Sequence, residues 1–531
     1  MAIVKQHDKR IGVTYAYESA SYWDSEKKQS RSKRRLVGIV DPVTGEITPT
    51  TKKKRNALSA VDISWLTASR TFYGATYLFD HIGEQTGVAA DLKACFPDSY
   101  KQILSIAYYL ILEDKNPLSR FPKWSKLHAH PCASAISSQR SSELFAEITE
   151  EQRLNFFRLQ GGRRAEKEYW AYDTTSISSY SELLTQVRHG KNKDNERLPQ
   201  INLAILYGEN SCLPFFYKKL SGNIPDVSTV KQLLKDMEFL GCKGIKLALD
   251  RGSYSERNIS ELCCERLKFL MGAKLSVKYI RAELDKHRET IRNWDNFMPD
   301  SEVFGLTVPI QWKFKRIRPY KKDEINESRR MYLHFYYDSV RALEDERNFA
   351  KLMSRLYSEL LSGNRYKCNE AAYERFFTVK STPVRGTKVN VKEDAVTDER
   401  KSFGYFALIG NETLAASQAL TIYRNKDVAE KAFDNVKDRL DMRRLNVSSD
   451  LSLDGKLFVV FVALIFTSYL HNAMKRTFLY QKFTMNELLD ELELIERFER
   501  QGHKPQIGEI TKKQLDLYEA LNIAPPKTSL C

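Results

Sequence analysis

The spacing of apolar positions along the chain changes from segment to segment, and each change marks an element. Residues 11–22 and 35–40 read as strands flanking a polar stretch at 27–34, and Thr44-Gly45 marks a turn. This predicts a small β-rich module over 1–56. From 57 to 165 apolar residues recur at three- and four-residue spacing, as in Ile103, Ile106, Ala107, Leu110 and Ile111, and further helices fit 141–148 and 150–159. Strand-like runs follow at 169–178, 201–207 and 213–220. A helix at 229–240, a buried strand at 245–249, a helix at 255–267 and a strand at 269–272 come next. Three strands feeding alternating helix and strand predict a mixed α/β sheet.

Beyond 275 the alternation is interrupted. Residues 275–401 hold a basic-aromatic stretch, a strand at 331–337, a helix at 341–361 and a polar segment, after which a strand at 403–409 and a helical region to 440 resume the pattern. An antiparallel meander feeding βα units is the layout of an RNase H-like core. The predicted fold class is therefore α/β: an RNase H-like mixed-sheet core (166–274 and 402–445), interrupted by an insertion domain (275–401). The flanks are the β-rich N-terminal module, a helical region (57–165) whose short helices could hold a helix-turn-helix DNA reader but carry no diagnostic signature of one, and a helical C-terminal region (446–531).

Composition narrows the partner. Among 531 residues, 84 Lys and Arg against 68 Asp and Glu leave a net charge of +16, which suits a polyanion: nucleic acid or an acidic membrane surface. The long apolar run at 457–470 is shorter than the ~20 residues that span a bilayer and reads as a core helix, so no membrane partner is expected. The N-terminus has no apolar signal region, which leads us to expect a protein of the cell interior. Eight cysteines without a Cys-x-x-Cys pair argue against a zinc ribbon or a disulfide framework, and His128, His130 and Cys132 match no zinc spacing. Two basic regions are DNA-contact candidates. Residues 1–56 carry 13 Lys or Arg against 6 Asp or Glu, with Lys33, Arg34 and Arg35 adjacent. Trp312, Lys313, Phe314, Lys315, Arg316, Arg318, Tyr320, Lys321 and Lys322 interleave rings and cations, either to stack on unpaired bases or as a strand with a solvated basic face.

Three acids stand out by position. Asp173 interrupts the aromatic strand Tyr169, Trp170, Ala171, Tyr172, and Asp250 ends the apolar strand of Ile245, Leu247 and Leu249. Strand ends in α/β sheets are where ligands bind. Ser253 and Glu256 have capping-box spacing for the helix that follows. Glu430 belongs to a helical stretch: at 100° per residue Tyr423, Lys426, Glu430 and Lys437 fall at about 0°, 300°, 340° and 320°, one polar face beside an apolar one. Asp427 and Asp434 lie close to the same face, so geometry alone leaves either as an alternative to Glu430.

These residues resemble a known family. Tyr423, Lys426, Glu430 and Lys437 carry the spacing of the Tyr-Arg-Glu-Lys signature of DDE-type insertion-sequence transposases, with Lys at 426 where the family usually has Arg. Tyr172-Asp173-Thr174-Thr175, Leu249-Asp250-Arg251-Gly252 with Ser255 and Asn258, Gly190-Lys191 before Leu198-Pro199-Gln200, and Asp454-Gly455 before an apolar helix are similar too. The resemblance breaks the tie in favour of Glu430. It implies that Asp173, Asp250 and Glu430 hold two Mg²⁺ ions, with Mn²⁺ as a substitute, Asp173 bridging both. It assigns Tyr423, Lys426 and Lys437 to the DNA backbone, and Trp294 or Trp312 to a flipped base. The implied activity is cut-and-paste DNA transposition by a homodimer acting on double-stranded transposon ends and target DNA inside a bacterial or archaeal cell, associated with the nucleoid. A structure-selective nuclease on the same core and an idle DNA-binding descendant of a transposase are the alternatives.

Overall fold

A computed structural model describes residues 2–9, 12–25, 27–49, 69–113, 116–164, 168–180, 184–190, 196–224, 226–240, 245–317, 323–382, 386–426, 440, 447, 449–500 and 504–527. The chain forms two compact units, Met1–Arg70 with Phe498–Gln506, and Thr71–Arg497 with Ile507–Cys531.

The first unit holds an antiparallel sheet in chain order, β1 (Ala2–Asp8), β2 (Val13–Asp24), β3 (Gln29–Val40) and β4 (Ile47–Pro49). Ala16 and Val40 are buried where the strands overlap most. Lys33, Arg34 and Arg35 lie on β3 opposite Ala20, Ser19 and Glu18, and all three are exposed.

The second unit is built on a nine-stranded sheet. Its strands are β5 (Tyr169–Ser178), β6 (Gln200–Gly208), β7 (Pro214–Ser221), β8 (Lys246–Leu249), β9 (Lys268–Ala273), β10 (Phe297–Met298), β11 (Val303–Ile317), β12 (Glu324–Tyr337) and β15 (Tyr405–Gly410), in the spatial order β10-β11-β12-β15-β9-β8-β5-β6-β7. β5, β6 and β7 are an antiparallel meander. β8 runs parallel to β5 on its other side, and β9 parallel to β8. This first-strand-central order is that of an RNase H-like core. β5, β6 and β9 are buried on both pleats along nearly their whole length, as expected for strands covered on both faces.

The stretch expected as an insertion splits its allegiance. β11 and β12 form a long hairpin that is hydrogen-bonded through β12 to β15 and so extends the core sheet. Helix α6 (Ser339–Leu361) and the two-stranded ribbon β13 (Phe377–Thr382) and β14 (Gly386–Val391), with the short helices Glu370–Phe376 and Glu393–Arg400, instead bury a core of their own, including Phe349, Leu356, Tyr373 and Val389.

The helices on either side of the sheet region in sequence meet in space. Helix α8 (Asp450–Arg476) is the one described helix long and apolar enough to cross a membrane, but Leu457 to Phe466 are almost wholly buried by protein. It packs on α1 (Tyr100–Leu112), α2 (Ser138–Glu147) and β7. Ring contacts of Phe458 with Phe96 and Phe156, and of Phe466 with Phe79 and Tyr108, fix it there. His130 lies against Phe121 and Trp124, hydrogen-bonded to Ser105 Oγ at 3.0 Å, and burial pushes its pKa down to about 4. It is a packed core group.

Candidate active site

The site begins with strand register. Tyr172 pairs with Leu249 at the end of the parallel β5–β8 ladder, so the next residues are Asp173, within β5, and Asp250, just past the end of β8. Neighbouring strands lie about 4.8 Å apart, and side chains in register on parallel strands leave the same face. Both carboxylates therefore leave the sheet side by side. Tyr169 and Ala248 share that face and pack under helix α7 (Ala416–Asn425) through Ala419 and Leu420. The opposite pleat, with Trp170, Tyr172, Leu247 and Leu249, is sealed into the main core.

Local chemistry shapes the Asp250 end. Beyond β8 the chain turns through Arg251–Ser253, and the Gly252 N–H donates to Asp250 Oδ2 at 3.3 Å. The next helix, α5 (Glu256–Cys264), is capped by Ser255, whose Oγ accepts from the Asn258 N–H at 3.0 Å. Ser253, two residues earlier in the turn, is not the cap that its spacing suggested. Asp173 accepts from the Thr174 N–H at 2.7 Å and is half-buried.

Helix α7 brings two further groups. Tyr423 donates its hydroxyl to Asp250 Oδ1 at 3.2 Å, and Lys426 places Nζ 3.4 Å from the same oxygen and 5.2 Å from the Tyr423 ring centre. Burial pushes the Asp250 carboxyl up. The Lys426 charge, the N–H groups of Arg251 and Gly252 and the Tyr423 hydroxyl together outweigh it, and the pKa is held below the usual carboxylate value. Burial first, and the Asp250 charge second, raise the Tyr423 phenol. The helix is anchored on either side: Asn425 donates to Glu209 at 2.7 Å, and in the loop before it Glu412 accepts from Tyr169 at 2.5 Å and Lys246 at 2.9 Å.

Gly272 on β9 is a site residue that the sequence reading missed. A Cβ there would sit 2.6 Å from the Tyr423 hydroxyl oxygen and 2.9 Å from the Arg251 nitrogen, so the approach of Tyr423 to Asp250 needs glycine. One glycine in an apolar strand is the sole signal in the sequence. From Asp250 and Tyr423 a cleft of about 840 Å³ runs past Lys274, Ser276 and Arg341 to Asn348 on α6. Its walls come from segments far apart in sequence, and this part of the site was also missed.

The remaining expected site residues divide. Glu430, Lys437 and Arg318, with Tyr320, Lys321 and Lys322, lie outside the described residues. Lys33, Arg34 and Arg35 belong to the other compact unit. On β11 the interleaved stretch resolves by alternation: Trp312 and Phe314 are buried, while Lys313 and Lys315 are exposed. Lys315 and Arg316 pair with Glu324 and Glu327 of β12 at 3.0 and 3.4 Å. Trp312 packs edge-on against Tyr279 with ring centres 5.8 Å apart. The pleat turns the Trp312 ring into the core and leaves Lys313 and Lys315 outside. Trp294 is 79% exposed and stacks on Phe297.

A central parallel strand pair with an antiparallel meander on one side, one acid within the first strand and a second just past the end of its parallel neighbour, defines an RNase H-like catalytic fold. The family model described as a transposase DDE domain matches residues 166–466, more than half of the chain, and the chain belongs to that family. Among solved structures, a cryo-EM piggyBac transposase synaptic complex with hairpin DNA is similar with a TM-score of 0.32 and 10% identity. That match covers 67% of this chain and 57% of the other. No curated protein matches the sequence.

Members of this family use divalent ions, and the described acids fit one: two adjacent carboxylates offer hard oxygen donors. Among the described residues no group of three potential ligands converges, and Glu430 falls outside them.

Proposed function

We propose that the chain is a cut-and-paste DNA transposase, cleaving at insertion-sequence ends and joining the released 3′-hydroxyl to target DNA in a bacterial or archaeal cell. The observation that carries this reading is the register of Tyr172 with Leu249, which makes Asp173 and Asp250 the next residues along, with Tyr423 and Lys426 brought to Asp250 by α7. Asp173, Asp250 and, by family likeness, Glu430 are the residues that would hold two Mg²⁺ ions. When bound, such ions stabilise charge on the attacking and departing oxygens. The chain's own residues orient the substrate. By family likeness Tyr423, Lys426 and Lys437 would contact the phosphodiester backbone near the cut, while the exposed Lys313 and Lys315, and Lys33, Arg34 and Arg35, would neutralise other phosphates. Joining two ends to one target requires two copies, so the working form is a homodimer on DNA.

The test is incubation with Mg²⁺ and DNA carrying the element's own ends. Wild type is expected to release and join them. Asp173→Ala, Asp250→Ala and Glu430→Ala should each lose cleavage by more than about 10³-fold, as removal of a metal-holding group does, while binding the ends within a fewfold of wild type. Normal cutting by any one of them removes that residue from the site, and ends released but never joined would overturn the transfer step.

A further inference from the structure

We propose that Lys426 is a resident cation of the acid pair: its ammonium occupies the oxygen of Asp250 that a divalent ion needs, so that in the absence of DNA the chain's own lysine opposes ion binding. This rests on the reading of Asp173 and Asp250 as ion ligands given above.

Four features of the structure support it. Lys426 is only 8% exposed, so its ammonium is not a screened surface charge. Its Nζ lies 3.4 Å from Asp250 Oδ1, and the Tyr423 hydroxyl donates to that same oxygen at 3.2 Å. The other oxygen, Oδ2, is taken by the Gly252 N–H at 3.3 Å. Gly272 provides the room in which Tyr423 reaches the carboxylate. Both oxygens of Asp250 are thus engaged, and the cationic partner sits on Oδ1.

An ion bound to Oδ1 at about 2.1 Å would stand within a few ångströms of the ammonium. Two cations at that separation, in a partly buried site, repel strongly. One must leave. A lysine can: it is a point charge on a flexible four-carbon stem, whereas a guanidinium fork is held by paired hydrogen bonds. A DNA phosphate entering the site offers the ammonium a replacement anion. Phosphate entry therefore frees Oδ1 for the ion, and ion binding frees Lys426 for the phosphate; the two couplings are equal by linkage.

The experiment measures Mn²⁺ binding by the full chain, by electron paramagnetic resonance, with and without a short DNA duplex. Without DNA, Lys426→Gln should bind Mn²⁺ about tenfold more tightly than wild type, an ordinary coupling strength. Tyr423→Phe, which removes only a hydroxyl, should tighten binding by about two- to threefold through the lost hydrogen bond. DNA should tighten Mn²⁺ binding to wild type and change Lys426→Gln little. Equal or weaker binding by both variants, with unchanged melting temperatures, overturns the proposal. Asp173→Asn and Asp250→Asn separate it from the reading beneath. If both keep wild-type Mn²⁺ affinity, the acids hold no ion and both ideas fall; if both lose it while Lys426→Gln gains nothing, only the resident cation falls.

Discussion

Gly272 shows how much a single missing methyl can decide. Gly272→Ala places a Cβ against the Tyr423 hydroxyl and the Arg251 nitrogen, and one of them must move. We expect DNA cleavage to fall at least about tenfold, the consequence of a misplacement near 1 Å, with circular dichroism and end binding unchanged; wild-type turnover would mean that Tyr423 does not need its place. Asp80 offers a test of stability instead. Burial raises its pKa from 3.8 to about 6, against the Tyr108 hydroxyl that donates to it at 3.0 Å. Between those values the folded state binds more protons than the unfolded, so Asp80 makes stability fall as pH rises through that window. Asp80→Asn should flatten this slope and stabilise the protein by up to about 2 kcal/mol at pH 8, read by urea titration at pH 4.5 and 8. At this scale the sequence was informative where a residue broke a local pattern. Asp173 among aromatics and Asp250 at the end of an apolar run both did. Gly272, Asp80 and the Ser255 cap did not, because their partners come from other elements or an equally good spacing lay two residues away.

Among the elements, local periodicity located β5 to β9 to within a few residues, since each is a short apolar run bounded by turns. It could not say that β12 pairs with β15, because that ladder joins segments about seventy residues apart and its hydrogen bonds leave no mark in composition. The same holds for α8, read from sequence as part of a separate C-terminal region yet seated against α1 and α2. Gly455 makes that seat possible: a Cβ there would collide with the Phe145 carbonyl and backbone at the end of α2. Helix propensity alone favours alanine by about 1 kcal/mol. Overpacking against backbone costs about 1–3 kcal/mol and should win. Gly455→Ala is therefore expected to lower the melting temperature by several degrees, and a rise would mean that the two helices do not touch in solution.

At the level of the whole molecule, the net charge of +16 pointed to a polyanion, and the proposed function makes that polyanion DNA. On the proposed reading, log affinity for duplex ends falls linearly with log salt. Replacing Lys33, Arg34 and Arg35 together by Glu should lower the slope by about 2–3, near 0.9 for each lost phosphate contact. An unchanged slope in a fluorescence-anisotropy titration would remove the N-terminal sheet from the interface. The strand ladder that sets Asp173 beside Asp250 has a further consequence. The spacing of the two acids is indexed by hydrogen-bonded rungs, like teeth on a rack, and not by the loops between them. Extra residues spliced into the connection between β6 and β7 leave that index untouched, whereas one residue added inside β8 turns Asp250 to the oily side. Such a core can acquire new sequence at its turns and keep its chemistry.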